Sequence, residues 1–195
     1  FAKGIAFERQ QFLGLVRTPE SASLRHLFFA ERQAAKIPDL PAETPALEIR
    51  KAAVIGAGTM GGGITMCFAN AGIPVTVIEM AQPALDKGLE TIRGNYAATV
   101  SKGRLTQEKM DQRMALISSS TDFAAVKDAD IVVEAVFEDM AVKKEVFATL
   151  DKTAKAGAIL ATNTSTLDVD EIARSTGRPQ SVLGLHFFSP ANVMR

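Results

Sequence analysis

A glycine-rich turn that follows a short apolar segment constrains the fold of this chain more than any other feature. Gly56, Gly58 and Gly61 form the pattern G-x-G-x-x-G directly after the apolar residues 52–55. In this pattern the first glycine permits a tight turn, the second lets the backbone approach a pyrophosphate, and the third lets the following helix pack closely on the strand. We therefore predict a strand, a turn and a helix whose N-terminal N–H groups face phosphate oxygens.

An acidic residue after the next apolar segment extends the pattern. We expect the helix to end at Gly72 and residues 75–78 to form a second strand, with Glu79 at its tip. A carboxylate there can accept hydrogen bonds from both hydroxyls of an adenosine ribose, and it would repel a 2′-phosphate. A glycine triplet by itself is often only a loop, but the agreement between strand, helix and acid predicts a dinucleotide site that prefers NAD to NADP.

Strands and helices alternate along the rest of the main region. This alternation predicts an α/β fold with a doubly wound, mostly parallel sheet of the Rossmann type, in which ligands bind at the carboxyl ends of the strands. Beyond residue 80 we predict strands at residues 115–120, 130–136, 158–161 and 182–187, helices at 83–102, 107–114, 140–155 and 168–175, and a helical turn at 123–126.

The first fifty residues predict a separate amino-terminal region. Residues 1–36 have apolar side chains at helical spacing, with Thr18 as the N-cap and Pro19 as the first residue of a second helix. Residues 37–50 contain three prolines, which predicts a stiff linker before a domain at 51–195. Five of the eleven phenylalanines fall in the first 29 residues. These helices therefore need a partner surface, which is either the main domain or a preceding domain.

Charge and cysteine content exclude several classes of protein. Lys+Arg and Asp+Glu both number 22, so the net charge of zero argues against a nucleic-acid partner. No apolar run approaches the length of a membrane span. The single cysteine, Cys67, excludes an internal disulfide and fits a reducing compartment, and we interpret it as a small core residue. Because the chain opens on Phe1, we expect it to be a piece of a longer protein.

Polar side chains at three predicted strand ends could carry chemistry. Glu138 and Lys143 follow the fourth strand, Ser165 follows the fifth, and His186 lies near the end of the sixth, before Ser189. Oxidation of a secondary alcohol by hydride transfer requires removal of the hydroxyl proton, which a histidine can accept near neutral pH. A serine hydroxyl can hold the substrate oxygen and stabilise charge that develops on it.

Each of these residues also has an interpretation without function. His186 would then be a satisfied core histidine in an apolar strand, Glu134 and Glu138 solvated loop acids, and Lys143 a surface lysine. On this view the domain is a dinucleotide-binding module without catalysis.

Four motifs, GAGTMGGGI, VVEAVFEDMAVK, ATNTSTL and GLHFFSPANVM, together resemble the L-3-hydroxyacyl-CoA dehydrogenases of fatty acid β-oxidation, in order and at matching spacing. The resemblance covers residues 51–195. The segments FERQQFLGLV and ASLRHLFFAERQAAKIP resemble the helical region that joins an enoyl-CoA hydratase domain to the dehydrogenase in multifunctional β-oxidation proteins. The HFFSP form is similar to the peroxisomal bifunctional type and to some bacterial relatives.

The resemblance implies roles for individual residues. His186 would be the catalytic base, and Ser165 would touch the 3-oxygen of the substrate beside the nicotinamide. Met60 and Glu79 would bind the adenosine half of NAD, whereas Glu138, Ser165 and His186 would specify the reaction. Ser189 falls where many members have asparagine, which leaves its contact with the nicotinamide open. The implied cofactor-binding residues are Gly56, Gly58, Met60, Gly61, Glu79, Val136, Phe137, Glu138, Lys143, Ser165 and Ser189.

The resemblance also implies an activity. The parent protein would oxidise (3S)-3-hydroxyacyl-CoA to 3-oxoacyl-CoA with NAD and would also carry enoyl-CoA hydratase activity. Its partners would be an acyl-CoA substrate and the other domains of the parent chain, and a homo-oligomer stays an open alternative. We expect a bacterial cytoplasmic location, with the peroxisome as the alternative. The glutamate that pairs with the catalytic histidine in the family would follow Arg195, so we expect the isolated chain to bind NAD but turn over poorly.

Overall fold

The computed structural model describes residues 1–38, 40–41 and 43–194, and the chain divides into two compact units, Phe1–Ala46 and Leu47–Arg195. The division falls inside the proline-containing segment that the sequence predicts to be a linker. The described residues of this segment form neither helix nor strand. Asp39 and Ala42, which belong to the predicted linker, lie outside the described residues, as does Arg195.

The first unit consists of the two predicted helices, α1 (Ala2–Leu15) and α2 (Pro19–Ala34). Thr18 begins α2 as predicted, because its Oγ1 accepts a hydrogen bond from the Ser21 amide at 3.2 Å. Neither helix has a buried residue. The large exposed apolar side chains of Phe1 and these two helices are Phe1, Ile5, Phe7, Phe12, Leu13, Leu15, Leu24, Leu27, Phe28 and Phe29.

The second unit contains a six-stranded sheet in the order β3-β2-β1-β4-β5-β6, with every neighbouring pair parallel. This order confirms the predicted doubly wound fold and places the reversal of strand order between β1 and β4. The strands are β1 (Ala52–Ile55), β2 (Val75–Ile78), β3 (Ile117–Ser120), β4 (Ile131–Glu134), β5 (Ile159–Thr162) and β6 (Val182–Gly184). The helices are α3 (Thr59–Asn70), α4 (Gln82–Ser101), α5 (Gln107–Ala115), α6 (Met140–Thr153) and α7 (Val169–Ala173), with 3₁₀ turns at Phe123–Val126 and Pro179–Ser181.

Helices cover the two faces of the sheet, which is why the central strand β1 is apolar at every position. All four residues of β1 are buried. On one face Ala53 and Ile55 pack in a cluster with Phe147 and Leu150 of α6. On the other face Ala52 and Val54 pack with Ile64 and Ala69 of α3. Cys67 of α3 packs at the edge of the second cluster, and burial raises the pKa of its thiol. This placement agrees with its interpretation as a packing residue.

Several predicted elements have different ends in the structure. The third strand begins at Ile117 because α5 continues to Ala115. The fourth strand ends at Glu134 instead of residue 136. The largest difference concerns the sixth strand, which ends at Gly184, opposite Thr162, the last residue of β5. β6 lies at the edge of the sheet and pairs with β5, so this pairing ends where β5 ends. His186 therefore lies in the loop after β6 and not on the strand as predicted.

Asp130 joins three segments at the amino-terminal edge of the sheet. Its carboxylate accepts hydrogen bonds from the backbone amides of Arg50 at 2.7 Å and Lys51 at 2.9 Å, and it pairs with Lys155. The hydrogen bond from Lys155 and those from the two amides lower the pKa of Asp130 to about 2.

We expect Asp130→Asn to lower the free energy of unfolding by roughly 1–2 kcal/mol at pH 7, because hydrogen bonds to a partly exposed charged group are lost. The folded-state pKa of about 2 lies below the pKa of the unfolded state. The ionised carboxylate therefore stabilises the fold fully when the pH is above the unfolded-state pKa, and this stabilisation is lost as the pH falls through the folded-state pKa. The difference between wild type and variant should therefore shrink between about pH 4 and pH 2. Urea denaturation at several pH values measures it, and a difference that stays constant would contradict the assignment.

Candidate active site and cofactor cleft

The three glycines of the turn meet different steric requirements. Gly56 has a φ of 100°, and a Cβ atom there would lie 2.7 Å from the carbonyl oxygen of Ala135. A Cβ atom on Gly61 would lie 1.9 Å from the Gly56 carbonyl oxygen, so α3 can approach the turn only with glycine at this position. A Cβ atom on Gly58 would meet no atom within 4 Å. Gly58 therefore borders open space at the N-terminus of α3, where a pyrophosphate would lie.

Glu79 faces the same turn from the end of β2. Its Oε2 accepts from the Ala57 amide at 3.3 Å and its Oε1 from the Ala81 amide at 3.4 Å. The carboxylate borders a cavity of about 580 Å³ that continues to the loop after β4. The residues present thus fit a dinucleotide, with glycine backbone for phosphates, a carboxylate for ribose and apolar walls for a base. The cavity is lined by Gly56, Gly58, Met60, Glu79, Val136 and Phe137 among the predicted residues, and also by Ile78, Phe123, Val142 and Val146.

A close contact of α4 with the turn was not predicted. A Cβ atom on Gly88, in the middle of α4, would lie 2.5 Å from the Ala57 carbonyl oxygen, so this glycine lets the helix lie against the turn. The residue type could have indicated this contact. Glycine inside a long helix lowers helix stability by about 1 kcal/mol relative to alanine, and it usually has a packing reason.

A buried ion pair lies beneath the next part of the cleft. Glu134 and Lys143 have side chains that are 0% and 1% exposed, and Nζ of Lys143 is 2.7 Å from Oε1 of Glu134. Glu134 also accepts from the Val136 amide at 2.8 Å and from Thr162 Oγ1 at 2.7 Å. The alternatives of a solvated Glu134 and a surface Lys143 are therefore wrong. The Lys143 ammonium is also 3.4 Å from Oε2 of Glu138.

Glu138 binds the loop after β5. Its Oε1 accepts from Thr164 Oγ1 at 2.6 Å and from the amides of Ser165 at 2.7 Å and Thr166 at 3.2 Å. Partial burial raises the pKa of Glu138, but these hydrogen bonds and the Lys143 charge outweigh it and lower the pKa to about 2. Although its side chain is 40% exposed, Glu138 is therefore an ionised anchor of this loop, and not simply a solvated acid.

Three hydrogen bonds join the loop after β6 to the last residue of β5 and to the loop that follows β5. The Leu185 amide donates to the Thr162 carbonyl at 2.9 Å, and the Phe187 amide donates to Oδ1 of Asn163 at 2.9 Å. Between them, Nδ1 of His186 lies 3.2 Å from the Thr164 carbonyl oxygen. A carbonyl oxygen only accepts, so this contact requires the proton on Nδ1 and leaves Nε2 of the neutral ring as an acceptor.

At the carboxyl edge of the sheet the loop that carries Ser165 thus contacts both Glu138 and His186. His186 and Ser165 are both exposed, and the interpretation of His186 as a core histidine is wrong. Ser165 follows directly after Thr164, whose carbonyl contacts His186. Ser189 is exposed in the same loop as His186. In the part of the chain that the structure describes, no side chains form a metal-binding cluster and no helix is long and apolar enough to cross a membrane.

This fold, with the glycine turn, the carboxylate after β2 and the cleft at the reversal of strand order, defines a dinucleotide-binding domain of the Rossmann type. Residues 51–195 match the family model described as 3-hydroxyacyl-CoA dehydrogenase, NAD binding domain, and the chain therefore belongs to this family. The family's cofactor is NAD, as the sequence predicted.

Individual relatives agree with this assignment. The chain is 44% identical to the peroxisomal bifunctional enzyme of Cavia porcellus, over 98% of the chain and 27% of the relative. It is 40% identical to the fatty acid oxidation complex subunit alpha of Shewanella amazonensis, again over 98% of the chain and 27% of the relative. The solved structure of 3-hydroxybutyryl-CoA dehydrogenase from Escherichia coli is 37% identical, with a TM-score of 0.74, over 76% of this chain and 31% of that chain. The chain thus spans about a quarter of the length of these curated relatives.

Proposed function

We propose that the protein containing this chain oxidises (3S)-3-hydroxyacyl-CoA to 3-oxoacyl-CoA with NAD in fatty acid β-oxidation. The observation that carries this proposal is the contact between Nδ1 of His186 and the Thr164 carbonyl, because it leaves Nε2 able to accept a proton. The names of the relatives support the same reaction class, since they include a 3-hydroxybutyryl-CoA dehydrogenase and fatty acid oxidation proteins.

The residues of the chain would divide the reaction as follows. His186 Nε2 takes the proton of the 3-hydroxyl group, a step that contributes roughly 10²–10⁴-fold to the rate. The Ser165 hydroxyl donates a hydrogen bond to the same oxygen and stabilises charge that develops on it. Bound NAD supplies the chemistry of hydride acceptance. Glu138 holds the backbone of Ser165 through its amide hydrogen bond.

The cleft would hold NAD in two parts. Glu79 accepts hydrogen bonds from the adenosine ribose, next to Met60, and the turn at Gly58 approaches the pyrophosphate. Glu138, Ser165 and Ser189, with Val136 and Phe137, would border the nicotinamide half.

The amino-terminal helices supply the second part of the proposal. We propose that residues 1–36 are the tail of an enoyl-CoA hydratase domain and that the linker at 37–50 joins it to the dehydrogenase. The exposed phenylalanines of α1 and α2 support this, because apolar surface of this extent normally packs against other protein. The name of the peroxisomal bifunctional enzyme agrees with a protein of several activities. Acyl-CoA and these further domains are then the partners of the chain.

For location we propose the bacterial cytoplasm, with the peroxisome as the alternative. Both suit a domain with one cysteine, and the relatives include a bacterial and a peroxisomal protein.

An assay of the full-length protein tests the function. We expect NAD-dependent oxidation of 3-hydroxybutyryl-CoA or of a long-chain 3-hydroxyacyl-CoA, and hydration of a 2-enoyl-CoA by the same chain. Fluorescence titration should show NADH binding at least tenfold tighter than NADPH, because Glu79 repels a 2′-phosphate. Glu79→Gln is expected to reduce the difference between the affinities for NADH and NADPH. Tighter binding of NADPH would contradict the role of Glu79, and absence of oxidation with both substrates would contradict the proposed reaction.

A further inference from the structure

We propose that Glu134 is a positioning residue of the active site, which acts through Lys143 and Glu138 on the loop that carries Ser165. This inference rests on the proposed function for its consequence in catalysis, but its geometry stands on the contacts alone. Neither the sequence motifs nor the family assignment gives Glu134 a role.

The contacts form one continuous path. Glu134 ends β4, at the point where the sheet opens into the cleft, and its carboxylate holds the Lys143 ammonium at 2.7 Å. The same ammonium lies 3.4 Å from Glu138. Glu138 in turn accepts hydrogen bonds from the backbone amides of Ser165 and Thr166. Glu134 thereby reaches the loop after β5 through two side chains, and it also contacts β5 directly through Thr162.

The energetics of burial argue that this path has a purpose beyond stability. Removing a carboxylate and an ammonium from water has a large free-energy cost for each ion, and their attraction often does not recover more than this cost. An apolar pair of similar volume would hold β4 and α6 together at least as well. Unlike an apolar pair, the charged pair can restrict the position of a third side chain. A fully buried ammonium between two carboxylates fixes where the partly exposed Glu138 can lie.

The effect should reach His186 as well. His186 is held by the Thr164 carbonyl, which belongs to the same loop as the Ser165 and Thr166 amides. If Glu138 moves, the amides of residues 165 and 166 lose their acceptor, and the acceptor of Nδ1 of His186 moves with them. A base and a hydrogen-bond donor must both be placed within a fraction of an ångström for efficient catalysis.

Glu134→Gln in the full-length protein tests the inference, since glutamine keeps the volume and removes the charge. Lys143 is then expected to turn toward Glu138 and to draw that carboxylate away from the loop. We expect amide hydrogen exchange at Ser165 and Thr166 to accelerate at least tenfold relative to the core strands, NADH binding to weaken about tenfold, and kcat to fall more than KM changes. The control is Asp130→Asn, which also removes a hydrogen-bonded carboxylate but at the opposite edge of the sheet. It should lower the melting temperature and leave exchange at Ser165 and Thr166 unchanged.

A second variant covers the case in which Glu134→Gln does not fold. Glu134→Gln combined with Lys143→Met removes both buried charges, so stability should recover, while exchange at Ser165 and Thr166 should stay fast because Glu138 has lost its cation. Normal exchange at Ser165 and Thr166 in the folded single or double variant would overturn the inference. Because exchange needs no substrate, it still decides the positioning role if the wild-type protein fails to oxidise 3-hydroxyacyl-CoA, an outcome that bears on the proposed function alone.

Discussion

Replacing His186 by glutamine in the full-length protein is expected to lower kcat for 3-hydroxyacyl-CoA oxidation by roughly 10²–10⁴-fold. The amide group of glutamine can still donate to the Thr164 carbonyl, so the loop after β6 should keep its place. Glutamine cannot accept the proton of the 3-hydroxyl group, so the rate should fall while NADH binds as before. Steady-state kinetics and an NADH titration measure the two quantities separately.

The other histidine of the chain provides a matched control. His26 is exposed on α2, in the separate amino-terminal unit, so His26→Gln should leave both kcat and NADH binding unchanged. A His186→Gln variant that turns over at the wild-type rate would remove the catalytic role of His186. A variant that also loses NADH binding would indicate that His186 supports the structure of the cleft.

Gly61→Ala is expected to have the second large effect. Its new Cβ atom would lie 1.9 Å from the Gly56 carbonyl oxygen, and backbone on both sides prevents relief by a side-chain rotation. We expect a loss of about 3 kcal/mol in the free energy of unfolding, at the upper end of the usual range for overpacking, together with more than tenfold weaker NADH binding. Urea denaturation and fluorescence titration of the same preparation give both values.

Substitutions at two other glycines distinguish effects on the stability of the fold from effects on NADH binding. Gly58→Ala meets open space, so the fold should keep its stability, but its methyl group would stand where the pyrophosphate approaches and NADH binding should weaken. Gly94→Ala in α4 also meets no atom within 4 Å, and it should leave binding unchanged and raise stability by up to about 1 kcal/mol. Equal stability losses in Gly58→Ala and Gly61→Ala would show that the steric account of the turn is wrong.

The features that could be predicted from sequence depend on neighbours along the chain. The turn at residues 56–61 needs glycine because of local backbone geometry, and the apolar run of β1 follows from burial on both faces. The Thr18 cap of α2 likewise uses an amide three residues away. The parallel order of the sheet follows from the alternation of strands and helices, because connections between parallel strands need a crossover.

The end of β6 could not be predicted from the local sequence pattern. Residues 182–187 continue an apolar pattern, and the pattern alone predicts a longer strand than the structure contains. The length is decided by β5, which ends at Thr162, and by Asn163, whose side chain accepts the Phe187 amide. Both partners lie more than twenty residues away, so no local signal specifies where the strand stops.

The sequence by itself therefore determined where the glycine turn lies and that Glu79 follows the second strand, because backbone sterics and charge are properties of residue type and spacing. Only the tertiary structure decided that Glu134 and Lys143 are a buried pair, that Glu138 is an anchor of the Ser165 loop, and that His186 is exposed with its Nδ1 against a carbonyl. The physical reason is that the cost of burying a charge and the tautomer of a histidine depend on atoms from other strands, and the fold alone brings those atoms together.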